Sequence, residues 1–471
     1  MLVRVGRAMR TSQEEAALAM IHVRIVIRFA VCVWALVAIA RSQDRDVATE
    51  FKAAKAGLTS QIKDRKKENR FAALAKLETF PTPEAAKLLL FQGLGNKDEE
   101  TSRAAFDSLA KLTDNKEVCD YLTTTVAKQW KQGRPQPESL AGIALLLASP
   151  IPEVHEDALV LLREAADRPT GHSNLILLAD ELANCRGDSA ARPLLELIEV
   201  PLFEKDFAFR RAVEQALCSV RSKMAATALI TLLSKAKGEV RADIVKFLTT
   251  ISGQQLGIDA GVWQNWWNQN EKTFQFPPEQ KPTANKNNAA TPRIQMGGPN
   301  YYGLPISAAK IIFVIDTSGS MNGPRIIAAK RELCRAIQEL PATVEFNVIA
   351  FNGGVYPWQG KLIPAADDSK QSALYFVMAQ TLGNRTASYD ALEAAMHFDG
   401  EAIYFLTDGA PFGGKITSPP DIIRAITRLN QFRRMTINSL GIGVGPPGNA
   451  FDSFLSTLAD QNYGAYERVD Q

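Results

Sequence analysis

Asp316, Ser318 and Ser320 place a carboxylate and two hydroxyls at alternate positions of one short turn, Asp316-Thr-Ser-Gly-Ser320. Oxygen donors of this kind suit a hard cation. A soft or borderline metal would call for His or Cys, and neither stands nearby. Two later features have the same flavour. Thr386, in Gly383-Asn-Arg-Thr386-Ala-Ser-Tyr-Asp, is a hydroxyl just ahead of a helix pattern. Asp408, in Ala402-Ile-Tyr-Phe-Leu-Thr-Asp408-Gly, is a carboxylate that ends an apolar run.

These residues need elements to hold them. Lys310-Ile-Ile-Phe-Val-Ile-Asp316 is apolar but too short to span a membrane, so it reads as a buried strand of a parallel sheet, followed by a helix over 325–340. Strand patterns recur at 311–315, 344–351, 402–406, 437–442 and 465–469. Helix patterns fall between them at 326–340, 369–380, 389–396, 422–432 and 451–459. Such alternation predicts an α/β doubly wound, mostly parallel sheet with right-handed crossovers. Ligands of these sheets bind where strands release their carboxyl ends, which is where Asp316 and Asp408 stand.

From about residue 301 to the end, some 170 residues, strand, motif and helix follow the order of the von Willebrand factor type A (VWA) domain, which the segment resembles. The family's metal-ion-dependent adhesion site is built from D-x-S-x-S, a distant Thr and a distant Asp. The matching positions are Asp316, Ser318, Ser320, Thr386 and Asp408. The resemblance implies one Mg²⁺, with Mn²⁺ or Ca²⁺ as alternatives, held by the hydroxyls of Ser318, Ser320 and Thr386. Asp316 and Asp408 would hold coordinated waters or bind the ion outright. So few anionic ligands leave the ion electron-poor, with a position open to an Asp or Glu of a protein ligand. Gly319 and Gly409 are expected to let the two loops pack close to the ion. The implied function is metal-dependent adhesion or assembly, without catalysis.

The rival chemistries are poorly supported. An aspartic-type hydrolase would need a second catalytic Asp turn sharing a proton with Asp316-Thr-Ser-Gly, and Asp408 has no hydroxyl following it. A serine hydrolase would need a G-x-S-x-G elbow, which the chain lacks. Asn384-Arg-Thr386 matches a glycosylation sequon, but a sugar there would crowd the metal loop. The alternative within the same fold is a scaffold whose site serves an intramolecular contact or is no longer used.

Arg24 and Arg28 precede twelve uncharged residues, 29–40, that end in Ala38-Ile-Ala40. This is the pattern of a secretory signal over residues 1–40, with Met20 a more natural start, and it predicts an extracytoplasmic protein, while the VWA resemblance is to proteins of the bacterial secreted type. An uncleaved signal would instead anchor the chain to a membrane. Residues 46–273 read as helix after helix. Leu74 and Leu77 recur as Leu109 and Leu112, and Arg70, Arg103, Arg211 and Arg241 each open an amphipathic segment. The pattern resembles divergent HEAT-type repeats, offering a second interaction surface. Trp263, Trp266 and Trp267 share a helical face and are expected to cap this array. Residues 274–300, rich in Pro, Asn and Gly, read as a flexible linker before a VWA domain at 301–471. Net charge is only +3, from 54 basic and 51 acidic residues, so no field steers the chain toward nucleic acid. The five cysteines show no C-x-x-C and read as buried small residues.

Overall fold

The computed structural model describes residues 47–96, 98–131, 137–166, 171–183, 187–278, 298–445 and 448–469. The signal expected over residues 1–40 lies outside them, as do Cys32, Cys185 and residues 279–297 of the expected linker. Among the described residues no helix is long and apolar enough to cross a membrane. An all-α region precedes a mostly parallel sheet, and by contacts the chain divides into two compact units, Met1–Leu122 and Thr123–Gln471.

The first unit contains helix α1 (residues 47–61), α2 (Lys67–Leu77), α3 (Pro83–Leu88) with a π-helical continuation at Leu89–Leu94, and α4 (Glu99–Ala110). Asp98 caps α4 by accepting from the Thr101 amide. The same carboxylate takes an ion pair from Arg70 Nη2 at 2.9 Å, which links α2 to the start of α4. Leu74, Leu77 and Leu109 have no exposed surface, so the recurrent leucines form the contact between helices.

Helix α5 (Lys116–Lys131) leads into α6 (Pro137–Leu147), α7 (Pro152–Ala166), α8 (Gly171–Ala183), α9 (Asp188–Ile198) and the short α10 (Leu202–Lys205). They are followed by α11 (Phe207–Ser219), α12 (Lys223–Leu233), α13 (Gly238–Ser252) and α14 (Ala260–Asn270). Side-chain caps at Asp206, Ser222 and Asp259 start α11, α12 and α14. Within this unit α6, α8, α11 and α13 pack in succession, while α9, α12 and α14 pack as a second row behind them. Packing on more than one neighbour covers α11 on several sides, with Ala208, Phe209, Ala212, Val213, Ala216 and Leu217 all buried. Trp263 and Trp267 are buried against α12, with Trp267 Nε1 donating to Thr227 Oγ1 at 2.8 Å, so the tryptophans do cap the array.

The α/β part begins with a small hairpin, β1 (Asn300–Tyr301) and β2 (Leu304–Pro305). Strand β3 (Lys310–Asp316) lies at the centre of the main sheet, parallel to β4 (Glu345–Phe351) and β7 (Ala402–Thr407). Strands β8 (Thr436–Ile442) and β9 (Tyr466–Val469) extend the parallel run. The short β5 (Val355–Pro357) and β6 (Ile363–Pro364) add an antiparallel margin to β4 that the sequence reading had not separated. Alternate residues of β3 face opposite cores: Ile311, Phe313 and Ile315 meet α15 (Pro324–Glu339) and α16 (Asp367–Ala379). Ile312 and Val314 meet α17 (Ser388–Met396), α18 (Pro419–Asn430) and α19 (Ala450–Asp460). Burial on both faces is why the strand reads as an unbroken apolar run.

The picture of helical array and sheet as two tethered bodies changes in the second unit, where α8, α11 and α13 dock on the amino ends of β3, β7 and β8. Arg211 of α11 has no exposed surface; its Nη1 donates to Arg434 O at 2.6 Å and its Nε to Asp243 at 2.8 Å. Arg434 returns a hydrogen bond to Gln215 Oε1 at 2.8 Å and pairs with Asp180. Thr436 Oγ1 donates to Glu239 at 2.7 Å, and Glu401 accepts from the Ala309 amide at 2.9 Å. Gly238 makes room for this contact: its φ is +59°, and a Cβ there would sit 2.0 Å from Glu401 Oε2. Arg434 and Tyr463 hold left-handed φ values of 56° and 61°, and the Tyr463 ring packs under both guanidinium groups, 5.2 Å from Arg211 and 5.8 Å from Arg434. A charged surface on each partner, invisible to apolar periodicity, is the reason the docking was not foreseen.

A protease site engineered between residues 284 and 292 and then cut should leave the piece on the amino-terminal side of the cut and the piece on its carboxy-terminal side co-eluting on size exclusion. Removing Arg211 leaves the buried Glu239 and Glu214 and the part-exposed Asp243 without their shared cation. Arg211→Ala should therefore either part the cut pieces or cost about 3–5 kcal/mol of stability in the intact chain. Separation of the cut wild-type pieces at micromolar concentration would contradict the docked arrangement.

Candidate functional site

Strand β3 ends in Asp316, and the chain then turns through Thr317 and Ser318 into a single 3₁₀ turn, Gly319–Met321, before α15 starts at Pro324. Asp316 has no exposed surface, so both of its oxygens need partners. Oδ1 accepts from the Ser318 amide at 2.7 Å, which closes the turn. Oδ2 accepts from Thr407 Oγ1 at 2.5 Å, across from the end of β7. That second bond ties the two strand ends together and sets down Asp408, the next residue, beside the turn.

Ser320 Oγ donates to Asp408 Oδ1 at 2.7 Å and lies 3.0 Å from Ser318 Oγ. Four of the sequence-predicted residues, Asp316, Ser318, Ser320 and Asp408, are thus brought together in one run of contacts at the carboxyl ends of the strands. Thr386 arrives by its backbone. Gly383 bridges to Ser318, its amide donating to Thr317 O at 2.9 Å, and Thr386 exchanges backbone hydrogen bonds with Phe412 in the loop after Asp408. Asn352 braces the same loop, donating from Nδ2 to Thr317 Oγ1 at 3.2 Å and accepting the Ala387 amide on its backbone oxygen at 2.7 Å. A Cβ on Gly383 would lie 2.5 Å from the Asn352 side chain, so the approach depends on glycine there. A Cβ on Gly319 would lie 3.3 Å from Gly383 O, whereas one on Gly409 would meet nothing within 4 Å. Gly319 thus packs closely against the loop that carries Thr386, while the space where a Cβ of Gly409 would point is open.

Three residues that pattern reading did not name shape the site. Thr407 holds Asp316, and Asn352 braces the Thr386 loop. Arg325, in the first turn of α15, donates from Nη1 to Asp408 Oδ2 at 2.8 Å and to Ser320 O at 3.2 Å. Thr407 could have been suspected from its place beside Asp408, and Arg325 from its place at the start of the helix after the turn. Asn352 left no signal beyond following the second strand.

The side chains of Asp316, Ser318, Ser320 and Asp408 offer only oxygen as lone-pair donors, and the charged nitrogen among them is the Arg325 guanidinium neutralising Asp408. Asp408, with no side-chain surface exposed, demands a positive charge; the Ser320 hydroxyl donates to it, and the Ser318 hydroxyl lies next to that of Ser320. That donor set fits a hard divalent cation. It does not fit a protease dyad, because among the described residues Asp316 and Asp408 make no hydrogen bond to each other. Burial pushes the Asp316 carboxyl up to about 6, against the hydrogen bonds from Thr407 and Ser318, and the neighbouring Asp408 pushes the same way.

Residues 309–468 match the family model described as von Willebrand factor type A domain, and this part of the chain is a VWA domain. Inter-alpha-trypsin inhibitor heavy chain H3 of Bos taurus is 29% identical over 180 residues, covering 36% of this chain and 20% of that protein. Inter-alpha-trypsin inhibitor heavy chain H4 of Homo sapiens is 29% identical over 185 residues, covering 36% of this chain and 19% of that protein. The chain spans about a fifth of the length of these curated relatives. Among solved structures, a von Willebrand factor type A protein from Catenulispora acidiphila aligns with 24% identity over 35% of this chain and 39% of that one, with a TM-score of 0.31. The PilB minor pilin from Streptococcus sanguinis aligns with 15% identity over 34% of this chain and 56% of that one, with a TM-score of 0.28.

In the metal-free protein a carboxyl held above its ordinary value binds its proton more tightly when folded than when unfolded. The resulting stability is present below about pH 4 and is lost as pH rises through about 6, a change of about 3 kcal/mol. Asn at 316 can accept from the Ser318 amide and donate to Thr407 without carrying charge. In chelator, melting temperatures of wild type and Asp316→Asn should diverge between pH 4 and 7, with the variant the more stable at pH 7. Parallel pH profiles would show that the carboxylate carries no such burden.

Proposed function

We propose that the VWA domain of this chain is a protein-binding module that captures a partner carboxylate on a bound divalent cation, Mg²⁺ being the best fit and Mn²⁺ or Ca²⁺ the alternatives. The observation that carries this reading is the oxygen cluster of Ser318, Ser320 and Asp408 around a buried negative charge. Ser318, Ser320 and Thr386 would supply hydroxyl ligands, with Asp316 and Asp408 holding coordinated waters or binding directly. The ion, once bound, supplies Lewis acidity toward an Asp or Glu of the partner. The chain's own residues do the rest: Thr407 and the Ser318 amide hold Asp316 in place, and the Gly383–Ser318 contact keeps the Thr386 loop beside the turn.

The surroundings of the site support a protein partner. Ile327 at the start of α15, Met378 at the end of α16, Leu382 beside Gly383 and Phe412 opposite Thr386 are 65%, 61%, 39% and 68% exposed. Large apolar side chains exposed on adjoining elements at the margin of a polar site suit a protein interface better than a small-molecule pocket. The intramolecular alternative loses ground for residues 171–252, because α8, α11 and α13 occupy the amino ends of the strands, at the opposite end from the site. The helical array, which we read as HEAT-like, would offer the second surface, and the signal proposed at residues 1–40 would place both outside the cytoplasm. No catalytic residue is assigned.

Titrating MgCl₂ or MnCl₂ into the chelator-stripped whole chain should give one binding event by calorimetry. Ser320→Ala should weaken it about tenfold or more, and Asp408→Ala should remove it. Partner recovery from an extracytoplasmic fraction should fail in chelator and survive moderate salt. Equal recovery with and without metal would move the binding surface away from this site.

A further inference from the structure

A cation of the chain's own, the Arg325 guanidinium, reaches into the oxygen cluster. Arg325 follows Gly323, whose φ of +84°, and Pro324, so its backbone is fixed at the first turn of α15. Its Nη1 spans Asp408 Oδ2 at 2.8 Å and Ser320 O at 3.2 Å, contacting two of the five residues assigned to the metal. The Asp408 side chain has no exposed surface while 34% of Arg325 is exposed, so the guanidinium enters from the solvent margin. Its path is kept open at Gly443, where φ is +62° and a Cβ would stand 2.8 Å from Arg325 Nε. A side chain at 443 would therefore press directly on the guanidinium.

We propose that Arg325 is a built-in competitor of the divalent cation: it neutralises Asp408 when the ion is absent and must give up that contact when the ion binds. The inference rests on the metal-site reading above and deepens it. A doubly charged ion beside Ser320 and Asp408 and a guanidinium on the same carboxylate repel one another at this distance, in a place that water screens poorly. The guanidinium is the one that can leave, because its side chain already reaches solvent and loses only a part-exposed ion pair. Ion affinity is then set by the difference between two occupants of one carboxylate. The site opens only when the ion is abundant enough to displace the arginine.

The test is calorimetric titration of MnCl₂ into the stripped whole chain of wild type, Arg325→Gln, Arg325→Lys and Asp408→Ala. Loss of the competitor should tighten Mn²⁺ binding by roughly three- to tenfold in Arg325→Gln, the worth of one part-exposed ion pair. Arg325→Lys keeps the charge and should stay near wild type. The rise in melting temperature on adding Mn²⁺ should be larger for Arg325→Gln than for wild type. A merely structural arginine would give the opposite sign, with weaker binding when it is removed. Equal or weaker binding by Arg325→Gln, alongside a silent Asp408→Ala, overturns the competitor and leaves the metal site standing. No heat from any of the four proteins overturns the metal-site reading and the competitor with it.

Discussion

A carboxylate at the buried end of a central strand is costly unless each oxygen is held, and Asp316 imposes that condition on everything around it. The Ser318 amide satisfies one oxygen by turning the chain sharply, and the turn is what places Ser318 and Ser320 on the same side. Thr407 satisfies the other from the neighbouring strand, and that bond delivers Asp408 to Ser320. The second carboxylate then needs a positive charge of its own, which Arg325 provides. The parallel register of β3 and β7, Ile315 beside Leu406, makes the chain of dependencies possible because both strands end at one level.

The two ends of the sheet do different work. At the amino ends, Arg211, Arg434, Glu239 and Glu401 bind the helical array to the strands through charged groups removed from water. Burial, with the facing Asp243 and Glu401 carboxylates, pushes Glu239 up to about 7 against the pull of Arg211, so this contact is sensitive near neutral pH. At the carboxyl ends the oxygen cluster is left to face outward. Helices docked on the strands differ from a module on a flexible tether: α8, α11 and α13 can set the orientation in which the site meets a partner.

Most of the α/β part was legible because its signals are local. An apolar run buried on both faces, a motif at its end and a following amphipathic helix identify β3, Asp316 and α15 without any knowledge of neighbours. The same logic found Asp408 and the terminal strand. The antiparallel margin at β5 and β6 was missed since two- and three-residue strands have no periodicity to read. Asn352 and Thr407 act through the tertiary approach of separate strands, and Arg211 gave only its place at a helix start. At Gly409 open space lies where a Cβ would point, so the packing of the described residues does not itself call for glycine there.

The most direct test of a cation held by this cluster is anomalous diffraction from crystals of the whole chain grown with Mn²⁺. The account predicts a single strong anomalous peak within coordination distance of Ser318 Oγ and Ser320 Oγ, with the Arg325 guanidinium withdrawn from Asp408. Density at that place with no anomalous signal, or a peak on surface carboxylates alone with Arg325 still paired to Asp408, would contradict it.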